Sequence, residues 1–81
     1  MYYVYVLISC KNNKKYTGFT RKFPIFRLKE HNQGSNTWTR QNGPFDLLYS
    51  ESHSSRKVAL KREKYLKSAA GRIFLQQFLG S

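Results

Sequence analysis

The first twenty residues show the alternation that is typical of two paired β-strands. Residues 2–9, YYVYVLIS, carry apolar side chains on both sides of the alternation, which predicts a strand with two usable faces. The turn that follows contains Asn12 and Asn13, and asparagine tolerates the positive φ angles that tight hairpins need. Residues 16–20 then alternate again, so we predict a β-hairpin.

The middle of the chain predicts a short helix followed by a loop. Pro24 suits the first position of a helix and Gly34 the position after its end, so we predict a helix over residues 24–33. Residues 33–44, QGSNTWTRQNGP, are polar and contain two glycines and a proline. This composition is typical of a loop.

The second half of the chain predicts one more strand and two helices. Residues 45–52, FDLLYSES, predict a strand in which the central LLY is buried. Ser54 or Ser55 can cap a helix that runs to about residue 68. Gly71 is expected to break it before a short last helix, RIFLQQFL. The order ββαβαα predicts one α+β domain over the whole chain, with a small three-stranded antiparallel sheet flanked by helices.

The hairpin register decides which side chains share a face of the sheet. If the connecting loop has an even number of residues, centred between the two asparagines, Leu7 lies opposite Gly18 and Tyr5 lies opposite Thr20. Opposed residues share a sheet face, so Tyr5, Tyr16 and Gly18 are expected together, with a gap where Gly18 lacks a side chain. An odd-length loop would separate the two tyrosines.

The charge balance predicts a polyanionic partner. Fifteen Lys and Arg face four Asp and Glu, which gives a formal net charge of +11. Such an excess attracts nucleic acid, so DNA is the expected partner, with RNA not excluded. A basic domain that is merely soluble needs less charge. An anionic membrane surface is a weaker alternative, because no long helix pairs the basic residues with a wide apolar face.

Cysteine usage and the N-terminal segment predict a cytoplasmic protein. The single cysteine, Cys10, cannot form an internal disulfide, and with two histidines it cannot build a structural zinc site. The apolar segment MYYVYVLIS is too short for a membrane span and lacks the features of a cleaved signal. We therefore expect no membrane partner.

Carboxylates are scarce, which limits the metal chemistry open to the chain. The four present are Glu30, Asp46, Glu51 and Glu63, without a paired-acid motif. This argues against a two-metal site, which needs several carboxylates. Glu63 is the only acid in the basic segment ALKREKYLK. It can form an ion pair with Lys67, worth about 0.3–0.5 kcal/mol, or act as a lone metal ligand.

Arg27 and His31 are four residues apart, so they share one face of the predicted helix. Both can donate to phosphate oxygens, and His31 can also act as an acid or a base. A solvated helix face with an incidental histidine fits the same spacing. Trp38, in the predicted loop, can stack on a base or cover the core.

Taken together, these residues resemble the GIY-YIG nuclease family over nearly the whole chain. The segment VYV with Tyr5 stands at the GIY position, and YTG with Tyr16 stands at the YIG position. FRLKEHN resembles the family helix that carries an arginine, here Arg27, and a His or Tyr four residues later, here His31. ALKREKYLK resembles the helix with the metal-binding Glu63. The chain is most similar to small stand-alone bacterial members related to the N-terminal nuclease domain of the excision-repair C subunit.

The resemblance implies an endonuclease that hydrolyses DNA phosphodiester bonds with metal assistance, in DNA repair or processing. It implies that Glu63 holds a single divalent ion, Mg²⁺ or Mn²⁺. Arg27 would neutralise charge on the attacked phosphate, and Tyr16 would orient or deprotonate the attacking water. Tyr5 and His31 would position water and phosphate.

Contacts with nucleic acid are expected from cations around this site and from the gap in the second strand, through which a phosphate would approach the backbone. The residues are Lys14, Lys15, Gly18, Arg40 and Lys67. Two alternatives stay open. One is a nucleic-acid-binding module that keeps the nuclease scaffold without cleavage, and the other is a basic structural protein on ribosomes or membranes.

Overall fold

The computed structural model describes residues 1–80 as an α+β fold, which confirms the predicted fold class. The last residue of the predicted single domain, Ser81, lies outside the described residues. The elements are β1 (Tyr2–Ser9), β2 (Lys15–Thr20), α1 (Pro24–Asn32), α2 (Thr37–Asn42), β3 (Phe45–His53), α3 (Arg56–Lys67) and α4 (Ala69–Gly80). The three strands form one antiparallel sheet in the order β2-β1-β3.

The hairpin between β1 and β2 keeps the predicted face but not the predicted pairs. Tyr5 lies opposite Gly18, and Leu7 lies opposite Tyr16, two residues away from the expected register. The turn forms around Ser9, whose Oγ accepts the backbone N–H groups of the second and third residues after it, at 3.0 and 3.2 Å. Asn13 has a φ of 62°, as expected for asparagine in a tight turn. A shift of two residues preserves the alternation, so Tyr5, Tyr16 and Gly18 still share one face.

The central strand β1 is covered on both faces, and each face has its own core. The residues buried on the α3 and α4 side are Val4, Val6, Ala59, Leu66 and Leu75. The residues buried on the α1 and α2 side are Tyr5, Leu7 and Phe45, with Tyr16, Leu28, Trp38 and Leu47 packed around them. The residues of β1 therefore alternate between a mainly aliphatic core and an aromatic core.

The predicted loop over residues 33–44 contains the short helix α2, so that prediction was wrong there. Asn36 caps the helix: its side chain accepts the backbone N–H of Thr39 at 2.9 Å, and the Thr39 hydroxyl accepts the backbone N–H of Asn36 at 3.0 Å. Thr39 is 1% exposed. The capping box and this buried threonine stabilise a helix that has no apolar periodicity in its sequence.

Two details of the second half also differ from the predictions. The chain breaks between α3 and α4 at Ser68, and Gly71 lies inside α4. A Cβ on Gly71 would lie 2.7 Å from the carbonyl carbon of Leu66, so the glycine serves close packing of the two helices rather than a break. In β3, the LLY segment is only half-buried, since this strand lies at the sheet edge, and Phe45 is the buried residue at 2% exposure.

The C-terminal end of β3 carries an ion-pair network that faces α3. Glu51 accepts two hydrogen bonds from the Arg62 guanidinium, at 2.8 and 2.9 Å, and one from the Tyr49 hydroxyl at 2.7 Å. His53, predicted to lie in a loop, ends β3 and contacts the same carboxylate. This network ties β3 to α3. Among the described helices, none has the length and apolar character needed to cross a membrane.

Candidate functional site

The candidate site is centred on the hydroxyl group of Tyr5, which lies between two side chains of α1. His31 Nε2 lies 3.2 Å from the Tyr5 oxygen, and Arg27 Nε donates to that oxygen at 3.5 Å. Tyr5 is 1% exposed, and burial raises its pKa, although the Arg27 guanidinium opposes that rise. The phenol is therefore neutral near pH 7 and can act as both donor and acceptor.

Gly18 allows Tyr5 to take this position. A Cβ at residue 18 would lie 2.5 Å from Tyr5 Cζ, so the ring occupies the space that a side chain would need. The expectation of an open gap above Gly18 was therefore wrong, because the directly opposed tyrosine fills it. The glycine brings the Tyr5 ring close to the sheet.

His31 is buried within the site rather than exposed on a helix face. It is 1% exposed, its Nε2 faces Tyr5, and its Nδ1 lies 3.4 Å from the Ser35 hydroxyl. Burial lowers the pKa of the imidazole, and the charge on Arg27 lowers it further. His31 is therefore neutral near pH 7, and both of its ring nitrogens have partners.

Arg27 is the charged group at the opening of the site. Its side chain is 28% exposed, and Nη1 lies 3.4 Å from Glu30, which also pairs with Lys22 at 3.3 Å. The hydrogen bond to Tyr5 raises the pKa of the guanidinium, and burial only partly offsets this. Arg27 therefore carries a permanent positive charge with some of its donors accessible, as an anion-binding group requires.

Tyr16 connects this network to a neighbouring cleft. Its ring centroid lies 4.7 Å from that of His31 and 5.6 Å from that of Trp38. Trp38 also stacks on Phe45 at 5.6 Å, so it covers the core and lines the cleft at once. Within the described residues the Tyr16 hydroxyl has no hydrogen-bond partner, whereas the Tyr5 hydroxyl has two.

The cleft lies along β2, one of the two edge strands of the sheet, between α2 on one side and α3 and α4 on the other. Its volume is about 660 Å³. Four cationic side chains line it: Lys14, Lys15, Lys67 and Arg72. Glu63 is the only carboxylate among the lining residues. The cleft therefore offers an anion several positive charges and one oxygen ligand for a cation.

Glu63 extends from α3 into this cleft. Its carboxylate pairs with Lys67 at 3.3 Å and is 21% exposed, so the predicted ion pair is present. Across residues 1–80 no group of three or more His, Cys, Asp and Glu side chains is placed to hold a metal. Mg²⁺ keeps several water ligands and often binds through one or two carboxylates. The lone carboxylate fits a metal of that kind and does not fit zinc or calcium.

Most, but not all, of the predicted residues meet here. Tyr5, Tyr16, Arg27 and His31 form one cluster, and the cleft that begins at Tyr16 contains the predicted Glu63, Lys14, Lys15 and Lys67. Arg40 is not among the residues that line the cleft. Its guanidinium donates to Thr37 at 3.3 Å, and its side chain covers Gly34.

Arg72 and Ser35 were not predicted as site residues. Arg72 reaches the cleft because α4 folds back against α3. No local pattern in the sequence predicts how these two helices pack. Ser35 contacts His31 four residues earlier, just beyond α1. A serine at that spacing after a buried histidine is a signal that sequence analysis can use.

Comparisons with known proteins show what this chain is similar to. A family model described as the GIY-YIG catalytic domain matches residues 1–76. A UPF0213 protein of Clostridium perfringens is 41% identical over 68 residues, 83% of this chain and 71% of that protein. A UPF0213 protein of Staphylococcus haemolyticus is 37% identical over 68 residues, 83% of this chain and 80% of that one. The solution NMR structure of a UPF0213 protein from Bacillus halodurans matches with a TM-score of 0.57 and 33% identity, covering 100% of this chain and 88% of that one.

Proposed function

This chain belongs to the GIY-YIG family, and from that premise we propose that it is a metal-dependent endonuclease that hydrolyses DNA phosphodiester bonds in repair or processing. One observation carries the proposal. Arg27, Tyr5, His31 and Tyr16 form a single packed cluster, and Tyr16 joins it to the cleft that contains Glu63. The family's nucleases typically use divalent metal ions.

The cations of the cleft would bind the DNA backbone. Lys15 is exposed at the start of β2, Lys14 is exposed directly before it, and Arg72 lies on the opposite wall. Arg27, which contacts Tyr5, would neutralise charge on the attacked phosphate. Because Arg27 is held by Tyr5 and Glu30, part of the entropy cost of orienting it is already met before DNA binds.

Tyr16 would orient the attacking water, since its hydroxyl group has no partner within residues 1–80. Tyr5 and His31 would hold Arg27 and Tyr16 in place from the buried side. Glu63 would hold one Mg²⁺ or Mn²⁺ ion, which supplies stabilisation of negative charge on phosphate oxygens when bound.

A cleavage assay with Mg²⁺ or Mn²⁺ over single-stranded, duplex, branched and damaged DNA tests the proposal. We expect metal-dependent cleavage by the wild type and losses of at least about 100-fold for Glu63→Ala and Arg27→Ala. Lys57→Ala is the matched control, because Lys57 is an exposed cation on α3 that does not line the cleft. Circular dichroism checks that each variant is folded. Cleavage that survives both substitutions would contradict the assigned site.

The cationic cleft also supports a second function, binding of nucleic acid without cleavage. The net charge of +11 and the four lining cations favour binding regardless of any metal. The same variants separate the two functions. Metal-independent binding that Glu63→Ala leaves unchanged, with no cleavage of any DNA or RNA in the panel, would favour the binding module.

A further inference from the structure

Three aromatic side chains, two exposed and one half-buried, form a surface beside the Tyr5 site. Tyr3 lies two residues before Tyr5 on β1, and its ring centroid is 5.4 Å from that of Phe23. The Phe23 ring is 6.4 Å from that of Phe26. Phe23 is 60% exposed and Phe26 is 55% exposed. We call Tyr3, Phe23 and Phe26 the aromatic platform. Contiguous exposed aromatic side chains of this kind mark interaction surfaces.

The platform adjoins the anion-binding arginine of the site. Phe23 is the residue that precedes α1, and its ring contacts Tyr3, which shares a face of β1 with Tyr5. Arg27 contacts Tyr5 from the same helix. A phosphate bound at Arg27 would therefore place the next base of that strand within reach of Phe23 and Phe26.

The surroundings of the platform are cationic. Arg21 and Lys22 precede it and are exposed. Lys29 lines a groove of about 440 Å³ beside Phe26 and forms no salt bridge with any described residue. Glu30 is the only acid between residues 21 and 33. The surface thus combines aromatic rings with positive charge.

The aromatic rings and the positive charge together indicate which kind of molecule binds this surface. A second copy of the chain would bring another +11 charge against the same surface, which opposes self-association. Unpaired nucleotides satisfy both properties, because their phosphates bind cations and their bases stack on aromatic rings. In an intact duplex the base faces are covered by neighbouring bases.

We propose that the aromatic platform stacks unpaired bases of the nucleic acid whose phosphate is bound at Arg27, so that the preferred substrate has single-stranded nucleotides beside the cleaved bond. This rests on the proposed function for the position of the phosphate. The stacking itself needs no metal and no cleavage, and it can be measured separately.

The test is binding of the full chain to a fluorescein-labelled 12-nucleotide DNA and to the matching duplex, by anisotropy in EDTA. Replacing both phenylalanines (Phe23→Ala with Phe26→Ala) should weaken single-strand binding by roughly 5- to 100-fold and duplex binding by less than about twofold. Ile73→Ala is the control, because Ile73 is 55% exposed on α4 and lies outside the platform. The charge is the same in every variant, so electrostatic attraction is held constant.

Two further measurements identify stacking as the cause. The double variant Phe23→Leu with Phe26→Leu keeps apolar side chains and should still bind the single strand more weakly than the wild type. An oligonucleotide with abasic central positions should bind the wild type about as weakly as the intact oligonucleotide binds the alanine double variant. Removing rings and bases together should cost no more than removing either alone.

Equal single-strand affinity of the wild type and the alanine double variant would overturn the inference. Two other results would also overturn it. In both, the alanine double variant binds DNA like the wild type, but it loses either a wild-type dimer seen in sedimentation or wild-type binding to phosphatidylglycerol vesicles. Failure of the proposed function can be distinguished from failure of the stacking. If the protein stacks bases but cleaves no DNA, the proposed function is wrong and the platform still binds bases. If it cleaves DNA and the platform substitutions change neither binding nor cleavage, only the stacking is wrong.

Discussion

The phenol ring of Tyr5 packs directly over Gly18, its partner on the neighbouring strand. A side chain at residue 18 would begin 2.5 Å from Tyr5 Cζ, closer than real Cβ contacts occur. The absence of a side chain lets the ring lie against the sheet, and its hydroxyl group then reaches His31 and Arg27. A glycine that weakens a strand locally thus positions the charged group of the candidate site.

Gly18→Ala is expected to destabilise the protein by about 1–3 kcal/mol, because the tightly packed Tyr5 ring must move to admit the methyl group. Urea unfolding measures the free energy of unfolding. In a Tyr5→Leu background the same substitution should cost clearly less, since the smaller side chain leaves room. An equal penalty in both backgrounds would show that the cost comes from strand conformation and not from the ring.

Removing the hydroxyl group should lower stability at Tyr5 and lower cleavage, with little change in stability, at Tyr16. Tyr5→Phe leaves the buried Nε2 of His31 without its partner, so we expect a loss of about 1–3 kcal/mol in stability. Tyr16→Phe removes a hydroxyl group that has no partner among residues 1–80, so stability should change by less than about 0.5 kcal/mol. Under the proposed mechanism, cleavage should fall by at least about 100-fold in Tyr16→Phe.

Unfolding and single-turnover cleavage of both variants test this contrast. A Tyr16→Phe variant that is destabilised as much as Tyr5→Phe would mean that the Tyr16 hydroxyl group has a structural role. A stable Tyr16→Phe variant with wild-type cleavage would remove Tyr16 from the mechanism.

The buried imidazole of His31 should make stability fall in mild acid. Burial lowers its pKa in the folded state below the value of about 6.5 for an exposed histidine. As pH falls through 6.5, the unfolded chain binds a proton before the native state does, so the free energy of unfolding decreases. Urea unfolding between pH 7.5 and 5 should show this decrease in the wild type and a smaller one in His31→Gln. Equal slopes would show that His31 is not the group responsible.

The alternation in the first two strands, together with the assumption of an even-length loop, placed Tyr5, Tyr16 and Gly18 on one face, even though the predicted pairs were wrong by two residues. Face identity depends on whether the register is shifted by an odd or even number, and an even shift preserves it. The exact pairs depend on the hydrogen bonds by which the Ser9 side chain closes the turn. The alternation of apolar and polar residues carries no information about these bonds. For that reason the expected gap at Gly18 became a contact with Tyr5.

The helices show the same limit. Of the two predicted caps of α3, Ser54 and Ser55, the structure uses Ser55, and Pro24 begins α1 as predicted; both signals worked because they are local. The interior position of Gly71 could not be predicted, since it depends on how closely α4 packs on α3. Likewise, Arg40 and Arg72 look alike in the sequence, yet only Arg72 reaches the cleft.

The network around Glu51 should control stability in stronger acid. The hydrogen bonds from Arg62 and Tyr49 outweigh the effect of burial and lower the pKa of Glu51 to about 2. The native carboxylate therefore stays ionised below the ordinary pKa of about 4.5, and its stabilisation is present above that pH and lost as pH falls towards 2.

Glu51→Gln should accordingly lose about 2–3 kcal/mol at pH 7 and show a flatter loss of stability between pH 5 and 2 than the wild type. Asp46→Asn is the matched control on the same strand, because Asp46 is exposed. Chemical unfolding across this range decides the matter. If Glu51→Gln leaves the acid profile unchanged, the stability of the protein in acid does not depend on this network.

The salt dependence of DNA binding should identify which cations contact phosphates. Each phosphate contact contributes about 0.7–0.9 to the slope of log affinity against log salt. Lys14→Ala and Lys15→Ala remove cations that line the cleft, so each should reduce the slope by close to that amount. Arg40→Ala removes the same charge from a side chain that donates to Thr37 outside the cleft, and it should leave the slope nearly unchanged.

Anisotropy titrations between 50 and 200 mM salt, roughly the range over which such slopes are resolved, measure the slope for each variant. Equal reductions in all three variants would mean that DNA is attracted by the overall charge and is not bound in the cleft along β2.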